Sequence, residues 1–292
     1  MSNSYNTINV GVGEESLRIQ KWLSPLKPNR RHRDISNRRL DGVGDWVLQR
    51  PEFGLWCGNR VGSGDPTLLC YGGQGVGKTF IRYYGILRKQ WKMLIGNKNS
   101  SLVIDTFREQ TSAETIVVLF LYCDYQMQKD QSAVNMIGSL LSQFVLEAAQ
   151  IPLEIQQAFE LKKRGHQALR LPDLLKLFVE TITSIERVYI CFDAMDELLP
   201  DNRSELLRAL RQIIRDAPNI RLFLTGRPHI REELDKYFSK GAYTIHIVAD
   251  QGDIARYVSR KMEDDDDRDP GLMPDDLKSD ILKTMIEKAS EM

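Results

Sequence analysis

The segment Gly72-Gly73-Gln74-Gly75-Val76-Gly77-Lys78-Thr79 carries the strongest chemical signal in this chain of 292 residues. It fits the pattern G-x-x-x-x-G-K-[ST] without a mismatch. Glycines let successive backbone N–H groups turn inward and approach phosphate oxygens closely. A helix beginning near Lys78 would aim its unpaired N–H groups and positive dipole end at the same anion. Lys78 adds a full charge for the β- and γ-phosphates, and the Thr79 hydroxyl is placed to ligate Mg²⁺. The apolar run before the segment and the amphipathic run after it match what this mechanism demands. A bare Gly-rich turn explains neither.

A phosphate cradle of this kind needs an acid at the end of a neighbouring buried strand to hold the Mg²⁺ shell. The apolar run Val188 to Phe192 ends at Asp193, the expected Mg²⁺-side carboxylate, and continues Ala194-Met195-Asp196-Glu197. Asp196 or Glu197 is the candidate to orient or activate an attacking water. The alternative is that both acids merely open the next helix, where negative charge suits the dipole. Another apolar run, Arg221 to Leu224, ends in Thr225-Gly226-Arg227-Pro228. A polar residue and an Arg at the carboxyl end of an adjacent strand can sense the γ-phosphate, because ligands of open parallel sheets sit at that edge. Arg227 is the candidate sensor, against the reading of a surface loop Arg. His229 and His246 read as packing or capping residues. A guanine-reading N-K-x-D is missing, and position 196 is Asp where D-x-x-G needs Gly, so adenine nucleotides are preferred.

These residues need a scaffold, and the hydrophobic pattern supplies one. Leu68 to Tyr71, Thr115 to Cys123, Val188 to Phe192, Arg221 to Leu224 and Tyr243 to Val248 read as buried strands. Between them, Lys78 to Trp91, Ser132 to Gln150, Pro172 to Ile185 and Arg203 to Arg215 carry helical stripes. Strands alternating with helices predict an α/β fold: a parallel five-stranded sheet with helices on both faces. Residues 254–292 read as helical, interrupted by the acidic run Glu263 to Asp269. That run lacks the alternate-ligand spacing of a calcium loop, so it reads as a solvated inter-helix loop. Residues 1–39 read as a polar arm, docking by Trp22 and Leu23. Its basic residues Lys27, Arg30, Arg31, Arg33, Arg38 and Arg39 otherwise suggest a localisation or phosphate patch. The division expected is an arm (1–39), a nucleotide-binding domain (40–250) and a helical segment (251–292).

Forty basic residues balance forty acidic ones, which argues against a chain-wide nucleic-acid or anionic-membrane surface. No apolar run approaches the ~20 residues that span a bilayer, and the N-terminus lacks the pattern of a signal peptide. The scattered Cys57, Cys70, Cys123 and Cys191 form neither a zinc site nor a disulfide framework. Reduced cysteines and a cytoplasmic location are the expectation.

Together, Trp22 to Pro25, Gly42 to Trp46 with Phe53 and Trp56, Gly72 to Thr79, Phe120 to Tyr125, Phe192 to Leu198 and Leu224 to Pro228 resemble the NACHT-type P-loop NTPases of the STAND class. The closest likeness is to the fungal ankyrin-repeat and heterokaryon-incompatibility branch, also described as a nephrocystin-like N-terminal NTPase domain. The resemblance implies an ASCE-type sheet in which the Arg221 strand lies between the cradle strand and the Asp193 strand. It implies ADP in a resting state, ATP in a self-associated active state, Mg²⁺ and slow hydrolysis. It also implies that Gly42 to Trp46 line the adenine side, against the reading of a packing turn under the sheet. Many related ATPases carry Glu directly after the Mg²⁺ aspartate, where this chain has Ala194. Repeat or effector modules of longer family members are not found, so a fragment, a truncated gene product or a bare NTPase core is expected. A nucleotide-stabilised scaffold without turnover and a P-loop kinase are the alternatives to a switch.

Overall fold

The computed structural model describes residues 4–29, 44–58, 64–73, 116–147, 150–165, 169–238, 241–268 and 273–290. Gln74 to Thr79, the helix expected at 78–91 and the basic residues Arg30, Arg31, Arg33, Arg38 and Arg39 lie outside them.

The five expected strands form one sheet: β1 (Thr67–Gly72), β2 (Ile116–Tyr122), β3 (Arg187–Asp193), β4 (Ile220–Gly226) and β5 (Tyr243–Ile247), in the order β2-β3-β4-β1-β5. All pairings are parallel. The fold is therefore the α/β, five-stranded parallel type that the alternation predicted. β4 lies between β1 and β3, pairing Tyr71 with Gly226 on one side and Phe192 with Leu224 on the other. The strands are continuous apolar runs because both faces are covered. One face, with Leu69, Leu121, Ile190, Phe192 and Leu224, packs against helices. The other buries Leu68, Cys70, Tyr189, Cys191 and Phe223 around Trp56.

Five of the helices are α1 (Ser4–Leu23), α2 (Pro51–Gly58), α3 (Ala133–Glu147), α4 (Leu153–Gly165) and α5 (Leu171–Ile182). Four follow: α6 (Pro200–Asp216), α7 (Arg231–Phe238), α8 (Gln251–Arg268) and α9 (Asp275–Ser290). Helix α6 begins with Pro200 and Asp201 and ends with Arg215, as N-terminal φ preference and dipole pairing favour. Its outer Arg208, Arg211 and Arg215 are exposed, while Leu206, Leu207, Leu210 and Ile213 are buried.

Three local readings change. Residues 4–23, taken from composition as part of a polar arm, form helix α1. Ile19 and Leu23 bury its inner face, and Trp22 meets Phe159 edge-on at 5.3 Å. A Cβ on Gly138 of α3 would collide with the Leu23 carbonyl, so glycine there permits the close approach. The acidic run Glu263 to Arg268 is not a loop but the last turns of α8. Arg260 pairs with Glu263 and Asp264 at 3.3 Å, and Lys261 reaches Asp264 at 3.6 Å, so helical spacing neutralises part of the charge. Helices α2, α4 and α7, short or weakly patterned, were not expected.

The outer edge of β2 is closed by two amides. The Gln143 side chain accepts from Phe120 N–H at 3.1 Å and donates to its carbonyl at 2.9 Å. Gln131 accepts from Asp124 N–H and donates to the Tyr122 carbonyl, both at 2.9 Å. These side chains occupy backbone groups along that edge that a neighbouring strand would otherwise use. All four cysteines are buried and none is in a disulfide. Among the described residues, no helix is long and apolar enough to cross a membrane.

Candidate functional site

Parallel strands carry their carboxyl ends to one edge, and β1, β4 and β3 are consecutive there. Their last residues, and the turns that follow, bring Gly72 and Gly73, then Thr225 to Arg227, then Asp193 to Glu197, to that edge. Gln74, Gly75, Val76, Gly77, Lys78 and Thr79 continue from Gly73 outside the described residues.

Asp193 ends β3 and is buried. The Thr225 hydroxyl, fully buried at the end of β4, donates to Asp193 Oδ1. The Thr225 hydroxyl oxygen in turn accepts from Ala194 N–H at 3.0 Å. One side chain therefore orients the carboxylate and pins the backbone that follows it. Ala194 adopts the left-handed conformation (φ 54°, ψ 49°), the one positive φ of a non-glycine residue among the described residues. That geometry costs energy and persists only where its surroundings enforce it. Here the Thr225 bond enforces it, and the chain reverses into the turn Met195–Glu197.

The reversal puts Asp196 against the turn after β4. Asp196 Oδ1 accepts Arg227 N–H at 3.0 Å, and Arg227 Nε reaches Oδ2 at 3.1 Å. The aspartate side chain is 5% exposed and the arginine 41%. Both carboxylate oxygens are thus engaged by one residue. The turn fits closely: a Cβ on Gly226 would lie 2.6 Å from Ile230 Cδ1 and 3.7 Å from Asp196 Oδ1. Glu197 turns toward β2, where its carboxylate accepts Tyr125 N–H at 3.3 Å and its carbonyl accepts from Gln128 at 2.7 Å. So Asp193, Asp196 and Arg227 come together with Thr225, and Glu197 faces the Tyr125 turn.

A second layer holds the two turns in register. Arg203 of α6 donates to the Leu198 carbonyl at 3.1 Å and pairs with Glu233 of α7 at 2.7 Å. Ser204 donates to the other Glu233 oxygen at 3.0 Å. The turn after β3 is thereby tied to the helix that follows the Arg227 turn. Residue types alone did not mark Arg203 and Glu233, because the pairing exists only once α6 and α7 lie side by side.

Gly44 and Trp46 sit before β1, in and beside the short helical turn Asp45–Gln49. Gly44 N–H donates to Asp253 Oδ2 at 2.8 Å, joining this segment to the start of α8. Burial pushes the Asp253 carboxyl above its ordinary range, opposed by the Gly44 N–H. His246 on β5 is exposed, with its Nε2 3.5 Å from Arg231 Nη1, and His229 is exposed. Both lie off the Asp193 cluster.

Mg²⁺ takes one or two carboxylates and completes its octahedron with phosphate oxygens and waters. Asp193, a single oriented carboxylate at the strand end, fits that donor set. Among the described residues, no three His, Cys, Asp or Glu side chains converge as a metal cage.

The sequence pattern of the family described as Nephrocystin 3, N-terminal, matches residues 97–227, from before β2 through Arg227. No curated protein matches the chain. Solved structures with similarity include Cdc6p of Pyrobaculum aerophilum, with 18% identity, a TM-score of 0.44 and coverage of 83% of this chain and 53% of that one. A Walker-type ATPase of Pyrococcus abyssi gives 12% identity, a TM-score of 0.46 and coverage of 86% and 64%. The Aeropyrum pernix ORC1 protein, solved in complex with DNA, gives 14%, 0.44, 74% and 48%. The chain thus spans between 48% and 64% of the length of these structures. The strand order, with a glycine-rich sequence following β1, is that of a P-loop NTPase-like fold.

Proposed function

We propose that this chain is an ATP- and ADP-binding switch of the NACHT-like STAND class, of the fungal ankyrin-repeat-associated, nephrocystin-like kind, acting in signal transduction in the cytoplasm. The observation that carries the reading is the placement of β4 between the strand that feeds Gly72 and the strand that ends at Asp193. That order brings the end of the cradle strand, the Arg227 turn and the Asp193 strand end to one edge, where a nucleotide and its metal can span them. The match of residues 97–227 to the nephrocystin N-terminal family supports the branch.

Gly72 to Lys78 cradle the phosphates, and Thr79 and Asp193 hold Mg²⁺. When bound, Mg²⁺ neutralises phosphate charge and polarises the γ-phosphate. Thr225 keeps the Asp193 carboxylate oriented. Arg227 contacts the γ-phosphate, and Asp196 or Glu197 orients the attacking water. Ala194 occupies the position after the Mg²⁺ aspartate where a carboxylate base would serve, so turnover is slow and the bound nucleotide governs state. The ATP state favours self-association, and the helical segment from 251 onward leads toward repeat or effector modules in longer proteins of this kind. A second reading is a scaffold that keeps its nucleotide without turnover. The engagement of both Asp196 oxygens by Arg227 favours it.

Titration with fluorescent ATP and ADP, with and without Mg²⁺, tests the core of the proposal. Lys78→Ala should weaken ATP at least about tenfold, because it removes a charged partner worth ~1.5–3 kcal/mol. Equal affinity for mutant and wild type would remove Lys78 from the site. Mass-resolved size-exclusion chromatography with ADP, with ATP and with neither reports the assembly, and phosphate release separates switch from scaffold.

A further inference from the structure

We infer that Asp196 sets the preference of this site between nucleoside triphosphate and diphosphate, by holding Arg227 until a γ-phosphate competes for it. The inference rests on the nucleotide-binding reading above and adds to it a specificity-determining residue.

The geometry is that of a hold, not an incidental surface pair. The Asp196 carboxylate accepts two bonds from the same residue, one from Arg227 N–H at 3.0 Å and one involving Nε at 3.1 Å. The carboxylate is buried and the guanidinium is 41% exposed, so the mobile partner is the arginine. The backbone bond survives if the guanidinium leaves, because it belongs to the main chain of the turn. The anchor is rigid. Arg203 ties the Leu198 carbonyl to Glu233, and the Thr225 bond fixes Ala194 N–H, so the Asp196 turn is clamped on both sides. A Cβ on Gly226 would meet Ile230 Cδ1 at 2.6 Å, so the glycine lets the Arg227 turn pack closely there.

A guanidinium held by a carboxylate is offered to a second anion only at the expense of the first contact. A diphosphate leaves the contact intact. A triphosphate draws the guanidinium away and frees one Asp196 oxygen toward solvent. Sensing and the release of a candidate water-orienting acid thus become one event. The affinity for triphosphate is reduced by the strength of the hold, as for any ligand that binds a minor arrangement.

The test measures affinity for Mg²⁺-ADP and for a non-hydrolysable Mg²⁺-ATP analogue in the wild type, Asp196→Asn, Arg227→Gln and the double variant. Asp196→Asn should raise the triphosphate-to-diphosphate affinity ratio about fivefold or more, the usual lower end of a coupling. Arg227→Gln should lower the ratio, and Asp196→Asn should change nothing further in that background. Asp196→Ser, which removes the carboxylate and its hold on the guanidinium, replaces Asp196→Asn if the latter does not fold. An unchanged ratio in both Asp196 variants would overturn the inference. So would a rise that persists without Arg227, since that is a plain charge effect on the phosphates. A wild-type protein that binds neither nucleotide would overturn the nucleotide-binding reading and this inference with it.

Discussion

The Thr225 hydroxyl donates to the Asp193 carboxylate on the adjacent strand while accepting the Ala194 N–H, so one buried oxygen joins the two strand ends of the site. Thr225→Val keeps the shape and deletes both bonds. It leaves a part-buried N–H and a buried carboxylate oxygen short of a partner, at a cost of about 1–3 kcal/mol. Thr225→Ser should restore most of that loss. Denaturant midpoints measure the stability term. Mg²⁺ titration of nucleotide binding should show weaker metal dependence in the valine variant only.

The Arg203–Glu233 pair is part-buried, with side-chain exposures of 10% and 24%. Removing one partner leaves the other short of its bonds, so Glu233→Gln or Arg203→Met should destabilise by about 1–3 kcal/mol. The double change to apolar residues should cost less than the two single losses added together. A double-mutant cycle in urea checks this, and additive losses would count against it.

Gly138 is the point where α3 meets the end of α1. Gly138→Ala forces the Leu23 carbonyl outward and should destabilise by about 1–3 kcal/mol, as overpacking does. Ser24, whose hydroxyl donates to the Asn135 carbonyl at 2.7 Å, loses its bond in the same displacement. Limited proteolysis should then release α1 before the sheet unfolds. Wild-type resistance of the α1 junction in the variant would refute the role of this contact.

Asp253 gives a pH signature. Burial raises its carboxyl pKa in the folded protein, which favours the neutral form there. Its contribution to stability is therefore greatest below the unfolded value of about 3.9 and falls as pH rises through the higher folded value. Asp253→Asn should remove that dependence. Stability of wild type relative to the variant, followed by urea unfolding from pH 3.5 upward in steps of about half a unit, should decline with pH. A flat difference would mean the carboxyl is not perturbed.

The strands were legible because β-branched, continuous apolar runs are local, and each expected strand agrees with the observed one to within a residue or two. The placement of the acids at the end of β3 and of the Arg after β4 was legible because each directly follows a recognisable apolar strand run. Helix α1 was missed because its polar composition shows no clear helical stripe, although Trp22 and Leu23, the residues expected to dock it, do pack against the core. The acidic end of α8 was missed because its charges are balanced only at helical spacing, by Arg260 and Lys261.

What sequence alone determined is the chemistry on offer: a glycine-lined turn with a lysine, a strand-end carboxylate and a nearby guanidinium. What only the tertiary structure decided is who holds whom. Thr225 meets Asp193 across 32 residues and Arg227 meets Asp196 across 31. Those partnerships exist because β3 and β4 are hydrogen-bonded neighbours in parallel register. A side chain's partner is set by which strand lies beside it, and that choice belongs to the packing of the whole sheet.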